Sequence, residues 1–213
     1  MEEKIKEFII KNLKWIILFI CLIGFFALAE DVFNKELMNG DIIGYKIVST
    51  FLISDFATPI AKFVTNFGGA IFLIVLTIVL VILIKNKKIG ISIFSNLVII
   101  TILNQLIKRI LQRPRPTEYR IIEETGYSFP SGHSMVSMAF YGYLIYLIYK
   151  YVKNKYLKWI SIVLLSILIC SIGVSRIYLG VHYTSDVLGG FLLSISYLVI
   201  YISAVNKFLI KDK

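Results

Sequence analysis

Long apolar runs separated by short polar stretches dominate the chain. Six runs predict membrane-crossing helices, since a bilayer core of ~30 Å is crossed by about 20 helical residues. These runs lie at about 15–29, 69–84, 89–107, 134–149, 157–174 and 187–205. Residues 85–88, which include three lysines, predict a tight turn between antiparallel spans. Because Pro114 and Pro116 are excluded from a helix interior, the third helix is expected to end near Arg113.

The first apolar run admits two interpretations. Residues 27–29 read Ala-Leu-Ala after a short apolar stretch, which resembles a signal-peptidase site. Glu2, Glu3 and Glu7 argue against this, because a signal peptide begins with a positively charged region. We therefore expect the run to be retained as a helix.

A helical pattern also crosses the polar connection at 30–67. Its apolar positions are Val48, Leu52, Phe56, Ile60, Phe63 and Phe67, and its polar positions are Ser49, Asp55, Lys62 and Asn66. The spacing predicts one amphipathic helix, lying either in the membrane interface or along the side of the bundle. The expected fold is all-α: a polytopic membrane protein with six transmembrane helices and an interfacial helix between the first two, forming a single domain over residues 1–213.

The composition agrees with a membrane protein. Hydrophobic residues make up 58% of the 213 positions and charged residues 17%, far from the balance of a soluble domain. Cys21 and Cys170 lie in apolar runs without metal-ligand spacing, and we expect no disulfide. The net charge of +10 comes from short basic clusters at the ends of apolar runs. This distribution indicates contact with lipid and no nucleic-acid partner.

The basic residues also predict the orientation in the cell membrane. Counted on alternate sides of the predicted spans, Lys and Arg number 14 on one face and 9 on the other. Six of those nine lie in or beside the polar clusters described next, and without them the comparison is 14 against 3. Cytoplasmic loops carry the excess of Lys and Arg. Both termini are therefore expected in the cytoplasm and the polar clusters on the outer face.

Three polar clusters fall on that outer face and contain both histidines of the chain. They are Lys108-(six residues)-Arg115-Pro116, Pro130-Ser131-Gly132-His133 and Ser175-Arg176-(five residues)-His182-(three residues)-Asp186. Two guanidinium groups and an ammonium from the first and third clusters form a donor set that suits phosphate. Ser131 and Gly132 add a hydroxyl and backbone N–H groups at a helix start, which favours an anion.

The histidines and the aspartate predict phosphoryl transfer. His182 and Asp186 are four residues apart, so on one helix face the carboxylate takes the proton of one ring nitrogen. The other nitrogen is then free to attack phosphorus. His133, from another segment, is placed to protonate the leaving oxygen. No carboxylate cluster suits Mg²⁺, so we expect no metal and give its charge-neutralising role to the cations.

Three further arginines near the clusters have a simpler interpretation. A basic residue at a helix end is usually an interfacial anchor. We expect this role for Arg109, Arg113 and Arg120 in preference to substrate contact. The role of Ser131 also has a simpler form, since Pro-Ser-Gly by itself is typical of a turn followed by a helix cap.

With these blocks the chain resembles the type 2 phosphatidic acid phosphatase family, whose signature they reproduce without substitution between Lys108 and Asp186. The resemblance implies a six-helix membrane enzyme without a metal cofactor, with its site near the outer leaflet. It implies that His182 forms a phosphohistidine, that Asp186 orients His182, and that His133 protonates the leaving group and later activates water. The phosphate ligands it implies are Lys108, Arg115, Ser131, Gly132 and Arg176. Soluble vanadate-dependent haloperoxidases share the signature, but the apolar spans argue against them.

The expected function is a bacterial-type membrane lipid phosphatase, whose partners are its lipid phosphate substrate and the bilayer. Two substrates stay open: a phospholipid monoester such as phosphatidylglycerol phosphate or phosphatidic acid, and undecaprenyl diphosphate. A transporter or channel for a phosphorylated anion is the alternative of another class. Such a protein would keep polar groups through the bilayer midplane, whereas here the exceptions are few, such as Asn96, Asn104 and Gln105. The oligomeric state stays open, and no cofactor is expected.

Overall fold

Helices account for most of the chain. A computed structural model describes residues 2–36 and 38–210, with side chains from residue 12 onward within these ranges. Over these residues it contains eight helices and no strand. They are α1 (Glu2–Phe33), α2 (Asn39–Phe51), α3 (Ala57–Asn66), α4 (Ala70–Leu83), α5 (Lys87–Leu111), α6 (Gly132–Tyr151), α7 (Lys155–Tyr178) and α8 (Thr184–Phe208). The prediction of an all-α fold is confirmed, and each of the six predicted runs lies almost wholly within one helix.

Four of the described helical segments are long and apolar enough to cross a membrane: Asn12–Phe33, Lys87–Leu111, Lys155–Tyr178 and Thr184–Phe208. Together α3 and α4 form a fifth candidate, bent by 49° at the short break between them. The fourth predicted run (134–149), which lies in α6, is not among these candidates, because it carries His, Ser and Tyr residues. The structure therefore supports a polytopic protein with four to five candidate spans and does not confirm six.

The centre of the bundle is α6, which packs against α5, α7 and α8. Its buried tyrosines have partners on neighbouring elements. The hydroxyl of Tyr141 donates to the carbonyl of Phe67 at 2.7 Å, and that of Tyr143 donates to Ser92 Oγ at 2.7 Å. Because surrounding helices satisfy these hydroxyls, the central helix tolerates more polar residues than a helix that faces lipid.

The first predicted run is part of this bundle. Helix α1 packs along α8 and buries Leu18, Phe25 and Val32. The hydroxyl of Ser196 in α8 donates to the carbonyl of Leu18 at 3.3 Å. These contacts place the first predicted run beside α8, and its retention stays a prediction.

The prediction of one amphipathic helix after α1 was wrong. Residues 52–56 interrupt it and separate α2 from α3. The Tyr178 hydroxyl accepts from the backbone N–H of Ser54 at 3.1 Å, and Ser54 Oγ accepts from the N–H of Ala57 at 3.2 Å. These bonds satisfy donors that a helix start leaves open and so stabilise the break. Both helices contact α7, but Phe56 and Phe63 on the predicted apolar face stay exposed.

A glycine shapes the link between α7 and α8. Gly180 has a φ of +68°, and a Cβ there would lie 2.1 Å from the carbonyl oxygen of Tyr119. Next to it, the Leu179 carbonyl accepts from the N–H of Ile121 at 3.0 Å. The link between α5 and α6 is thus held directly against the link between α7 and α8.

We expect Gly180→Ala to lower the free energy of unfolding by more than the ~1–2 kcal/mol that left-handed backbone costs a non-glycine residue. The added Cβ also collides with the Tyr119 carbonyl. Gly126→Ala is the matched control, because Gly126 has a φ of +75° and open space around its Cβ position. Unfolding in detergent would measure both variants, and equal losses would contradict the steric argument.

Candidate active site

The three polar clusters meet at one end of the bundle. The link at 112–131 and the link at 179–183 approach each other there, joined by the backbone bond between Ile121 and Leu179. The N–H of Ser131 also donates to the carbonyl of Asp186 at 3.0 Å, which ties the start of α6 to the start of α8. Residues that are far apart in the sequence therefore form one site.

The ring of His182 lies between a carboxylate and a guanidinium. Its Nδ1 lies 3.2 Å from Asp186 Oδ2, and its Nε2 lies 3.1 Å from Arg115 Nη1. Burial lowers the pKa of His182 to about 4, although the hydrogen bond to Asp186 opposes this shift. The ring is therefore neutral at pH 7, with its proton on the Nδ1 that faces the carboxylate and a lone pair on Nε2.

A cavity of about 340 Å³ lies in front of His182. Five of the eight residues predicted for the site line it: Lys108, Arg115, Gly132, His133 and His182. Its volume is at the small end of ligand pockets, ~300–1,000 Å³. Arg109, predicted to be an interfacial anchor, also lines it, so the arrangement suits a phosphate group with both histidines and three cations around it.

The other three predicted residues are buried next to this cavity. Asp186 is behind His182, and Arg176 donates from Nη1 to Thr65 Oγ1 at 2.7 Å. Ser131 Oγ accepts from the Ser134 hydroxyl at 2.9 Å and from the Ser134 N–H at 3.4 Å. Ser131 is thus the N-cap of α6, the simpler of its two predicted roles. Direct phosphate contact by Ser131 and Arg176 stays a prediction.

Two polar residues of α5 hold the loop that carries the second cluster. Lys108 Nζ donates to the carbonyls of Tyr127 and of Ser128, the latter at 3.2 Å. Asn104 Nδ2 donates to the carbonyl of Pro130 at 3.2 Å. A role for Asn104 was missed from the sequence, where it was only a polar exception in an apolar run.

Arg113 corrects one of the sequence predictions. It is not an interfacial anchor, because only 6% of its side chain is exposed. Its Nη1 donates to Asp186 Oδ1 at 2.7 Å, and its Nη2 donates to Asp41 Oδ2 at 2.7 Å. Burial would lower the pKa of Arg113, but the two carboxylates raise it above its ordinary value. Asp41 was also missed, since nothing in the surrounding sequence connects α2 with the site.

Glu124 is a further residue of the site that the sequence did not single out. Its Oε1 accepts from Arg176 Nη2 at 2.5 Å, and its Oε2 lies 4.0 Å from Arg115 Nη2. Burial would raise the pKa of Glu124, but the two arginines lower it below its usual range. Glu124 is therefore ionised at pH 7 and contacts two guanidinium groups that are predicted phosphate ligands.

Glu124→Gln is expected to strengthen phosphate binding and to weaken the fold. Removal of the carboxylate charge ends its competition with phosphate for Arg176, but leaves that buried cation without its partner. We expect the apparent Kd for inorganic phosphate to fall about tenfold and the Tm without phosphate to fall as well. Thermal unfolding in a phosphate titration measures both, with Glu123→Gln as the control because the Glu123 side chain is 93% exposed. Unchanged phosphate affinity would contradict the competition.

The family of the chain follows from comparison with known proteins. The model of the PAP2 superfamily matches residues 89–210, more than half of the sequence. The chain belongs to the PAP2 superfamily. The resemblance drawn from the three clusters is thereby confirmed.

Two curated relatives match different lengths of the chain. Phosphatidylglycerophosphatase B from Bacillus subtilis is 38% identical over 96 residues, 44% of this chain and 47% of that protein. The match thus spans about half the length of that relative. Undecaprenyl-diphosphatase from Sulfolobus acidocaldarius is 29% identical over 182 residues, 82% of this chain and 80% of that protein.

A solved structure shares the fold. The crystal structure of a transmembrane PAP2 type phosphatidylglycerolphosphate phosphatase from Bacillus subtilis superposes with a TM-score of 0.79 at 24% identity. The superposition covers 90% of this chain and 96% of the other. The likeness shows a common helical architecture.

Proposed function

We propose that this protein is an integral membrane lipid phosphatase that hydrolyses the terminal phosphate of a lipid phosphate through a phosphohistidine on His182. The observation that carries the proposal is the position of His182 between Asp186 and Arg115. Its Nδ1 is held by the carboxylate, while Nε2 is beside a guanidinium at the edge of the cavity. A phosphate bound by Arg115 would therefore lie next to the attacking nitrogen.

The first step transfers the phosphoryl group to the enzyme. The Nε2–P bond forms while the bond from phosphorus to the lipid oxygen breaks, and His133 donates a proton to that oxygen. The ring of His182 gains positive charge, which the buried Asp186 stabilises. Arg115 and Lys108, both lining the cavity, neutralise the charge on the phosphoryl oxygens.

The second step releases phosphate. His133, now without that proton, takes one from a water molecule whose oxygen attacks phosphorus, and the Nε2–P bond breaks. His182 returns to its neutral form and inorganic phosphate leaves. We assign no metal or cofactor to either step.

A phospholipid monoester of the phosphatidylglycerol phosphate or phosphatidic acid type is the proposed substrate class, in line with the relative from Bacillus subtilis. Undecaprenyl diphosphate is the alternative, favoured by the longer match to undecaprenyl-diphosphatase. Both present a terminal phosphate that the cavity of about 340 Å³ accommodates. The lipid part would then extend beyond the cavity.

A phosphate-release panel on one detergent preparation, with a chelator present, tests this proposal. We expect turnover of at least one of phosphatidylglycerol phosphate, phosphatidic acid and undecaprenyl diphosphate, and the ratio of kcat/KM values identifies the class. Phosphate release only after addition of a divalent metal would contradict the metal-free mechanism. Binding of all three lipids without hydrolysis would favour the transporter or channel.

We also propose six spans in a single domain, with both termini in the cytoplasm. The support for counting α6 is its central position, enclosed by α5, α7 and α8, and the support for orientation is the Lys and Arg count. Cysteines introduced at Thr117 and Lys153 test it in intact cells, in a variant with Cys21 and Cys170 replaced by Ser. A membrane-impermeant thiol reagent is expected to label position 117 and not 153. The reverse pattern would overturn the orientation.

A further inference from the structure

We propose that Arg113 and Asp41 are positioning residues for the nucleophile. A buried network of ion pairs runs from Asp41 through Arg113 to Asp186. It holds the carboxylate that orients His182, so the proposal rests on the proposed function of His182.

The contacts of Arg113 fix its position. Each of its two Nη atoms reaches a carboxylate at 2.7 Å. The side chains of Asp41 and Asp186 are 1% and 0% exposed. Removing one partner of such a buried pair would leave an uncompensated charge in the interior, so each member depends on the others. Arg113 also lies over the ring of Tyr183, with its Cζ 4.1 Å from the centroid, which adds a cation–π contact.

Arg113 completes the set of donors around Asp186. Oδ2 accepts from His182 Nδ1 at 3.2 Å and from the N–H of Tyr183 at 2.9 Å. Oδ1 faces the other way and accepts from Arg113. The plane of the carboxylate is thus fixed from both sides. Without Arg113, Oδ1 would lose its charged partner, and the carboxylate would be free to turn away from the imidazole.

Asp41 extends this control to the start of α8. Its Oδ1 accepts from the backbone N–H of Ser185 at 2.8 Å, one of the donors that a helix start leaves open. A negative charge at this end of a helix is also favoured by the helix dipole. Because Ser185 is three residues from His182, Asp41 fixes both the arginine and the backbone segment that carries the nucleophile.

A glycine permits this arrangement. Helix α2 approaches α8 so closely at Gly44 that a Cβ there would lie 2.1 Å from Thr184 Oγ1. Asp41 is one turn earlier on the same helix face. Any larger residue at position 44 would push α2 outward and move Asp41 away from Arg113 and Ser185.

Arg113 acts through Asp186 and does not bind the substrate. It is absent from the lining of the cavity of about 340 Å³, and two carboxylates already match its charge. One guanidinium between two carboxylates leaves a net negative charge near His182. This charge repels phosphate but stabilises the positive charge that the ring gains in the phosphoenzyme.

Steady-state kinetics of Arg113→Met, Arg113→Lys and Asp41→Asn test the proposal, with Arg120→Met as the matched control. We expect Arg113→Met to lower kcat by about 100-fold and Asp41→Asn by about tenfold, as for other residues that orient a reacting group through a second one. KM should change less than threefold, because no phosphate contact is lost. Arg113→Lys should recover part of kcat, since an ammonium restores the charge without the two-sided fork.

Rapid-quench measurement of the phosphohistidine separates positioning from folding. In Arg113→Met the rate of phosphoenzyme formation per folded molecule should fall as far as kcat does. Gly44→Ala should reproduce the defect of Asp41→Asn without removing any charge. An unchanged rate per folded molecule, with only Tm lowered, would overturn the proposal, as would a rise in KM at constant kcat. Failure of the nucleophile assignment is distinct, because His182→Ala would then stay active.

Discussion

His182→Ala is expected to abolish phosphate release, with kcat lowered at least ~10⁴-fold. The substitution removes the nitrogen that is proposed to form the covalent intermediate, and Asp186 has no means to replace it. A water molecule positioned by the remaining cations would leave a low residual rate. Phosphate release from the best lipid of the panel measures the loss.

The fold of this variant is expected to persist. The ring of His182 makes contacts with Asp186 and Arg115, while Arg113 continues to hold Asp186 from the other side. Stabilisation by inorganic phosphate should remain, because the cationic groups are intact. A monodisperse elution profile and a phosphate-dependent Tm are the controls. Full activity in a correctly folded His182→Ala protein would contradict the assignment of His182 as the nucleophile.

His133→Ala should lower kcat for a lipid phosphate by ~10²–10⁴-fold, the usual contribution of a general acid or base. The loss should depend on the leaving group. With an aryl phosphate, whose leaving group needs no proton, the first step does not require His133 as an acid. The second step still lacks His133 as the base that activates water. The phosphohistidine should therefore accumulate, giving a burst of product followed by a slow steady state.

Rapid mixing of His133→Ala with both substrates provides the measurement. The ring of His133 is held close to the chain before α4, since a Cβ at Gly68 would be 3.2 Å from His133 Cδ2. Gly68→Ala is a useful companion, because its Cβ would crowd both Ile172 Cγ2 at 2.7 Å and the ring of His133 at 3.2 Å without removing the imidazole. Equal losses on the lipid and aryl substrates, with no burst, would show that His133 is not the proton donor.

The positions of most helices were predictable, because a helix that crosses lipid requires a long run of apolar residues. The third predicted helix is α5. It ends at Leu111, two residues before the predicted end at Arg113, because Gln112 adopts a left-handed backbone conformation. The interruption at 52–56 could not be foreseen. It depends on the hydroxyl of Tyr178, which is 124 residues away from Ser54 in the sequence, while the local apolar spacing continues through the break.

The residues of the site that belong to the three short motifs could be predicted from the sequence. Arg113 was misread because a basic residue after a helix looks the same locally whether it faces lipid headgroups or a buried carboxylate. Its partner Asp41 is 72 residues away. The competing contact of Glu124 with Arg176 spans 52 residues. Such pairs follow from the packing of α2 and of the 112–131 link, which no periodic pattern encodes.

The polar residues of α6 affect how this helix enters the membrane during synthesis. A helix with a histidine, two serines and several tyrosines gains little from entering lipid alone, so its insertion is expected to depend on neighbours that shelter those groups. During synthesis α5 precedes it, whereas α7 and α8 follow. With α6 as one of the six proposed spans, His133 would reach its place early, and Asp186 only when α8 arrives. Chains stalled before that point would carry the proton donor without its nucleophile and stay catalytically silent.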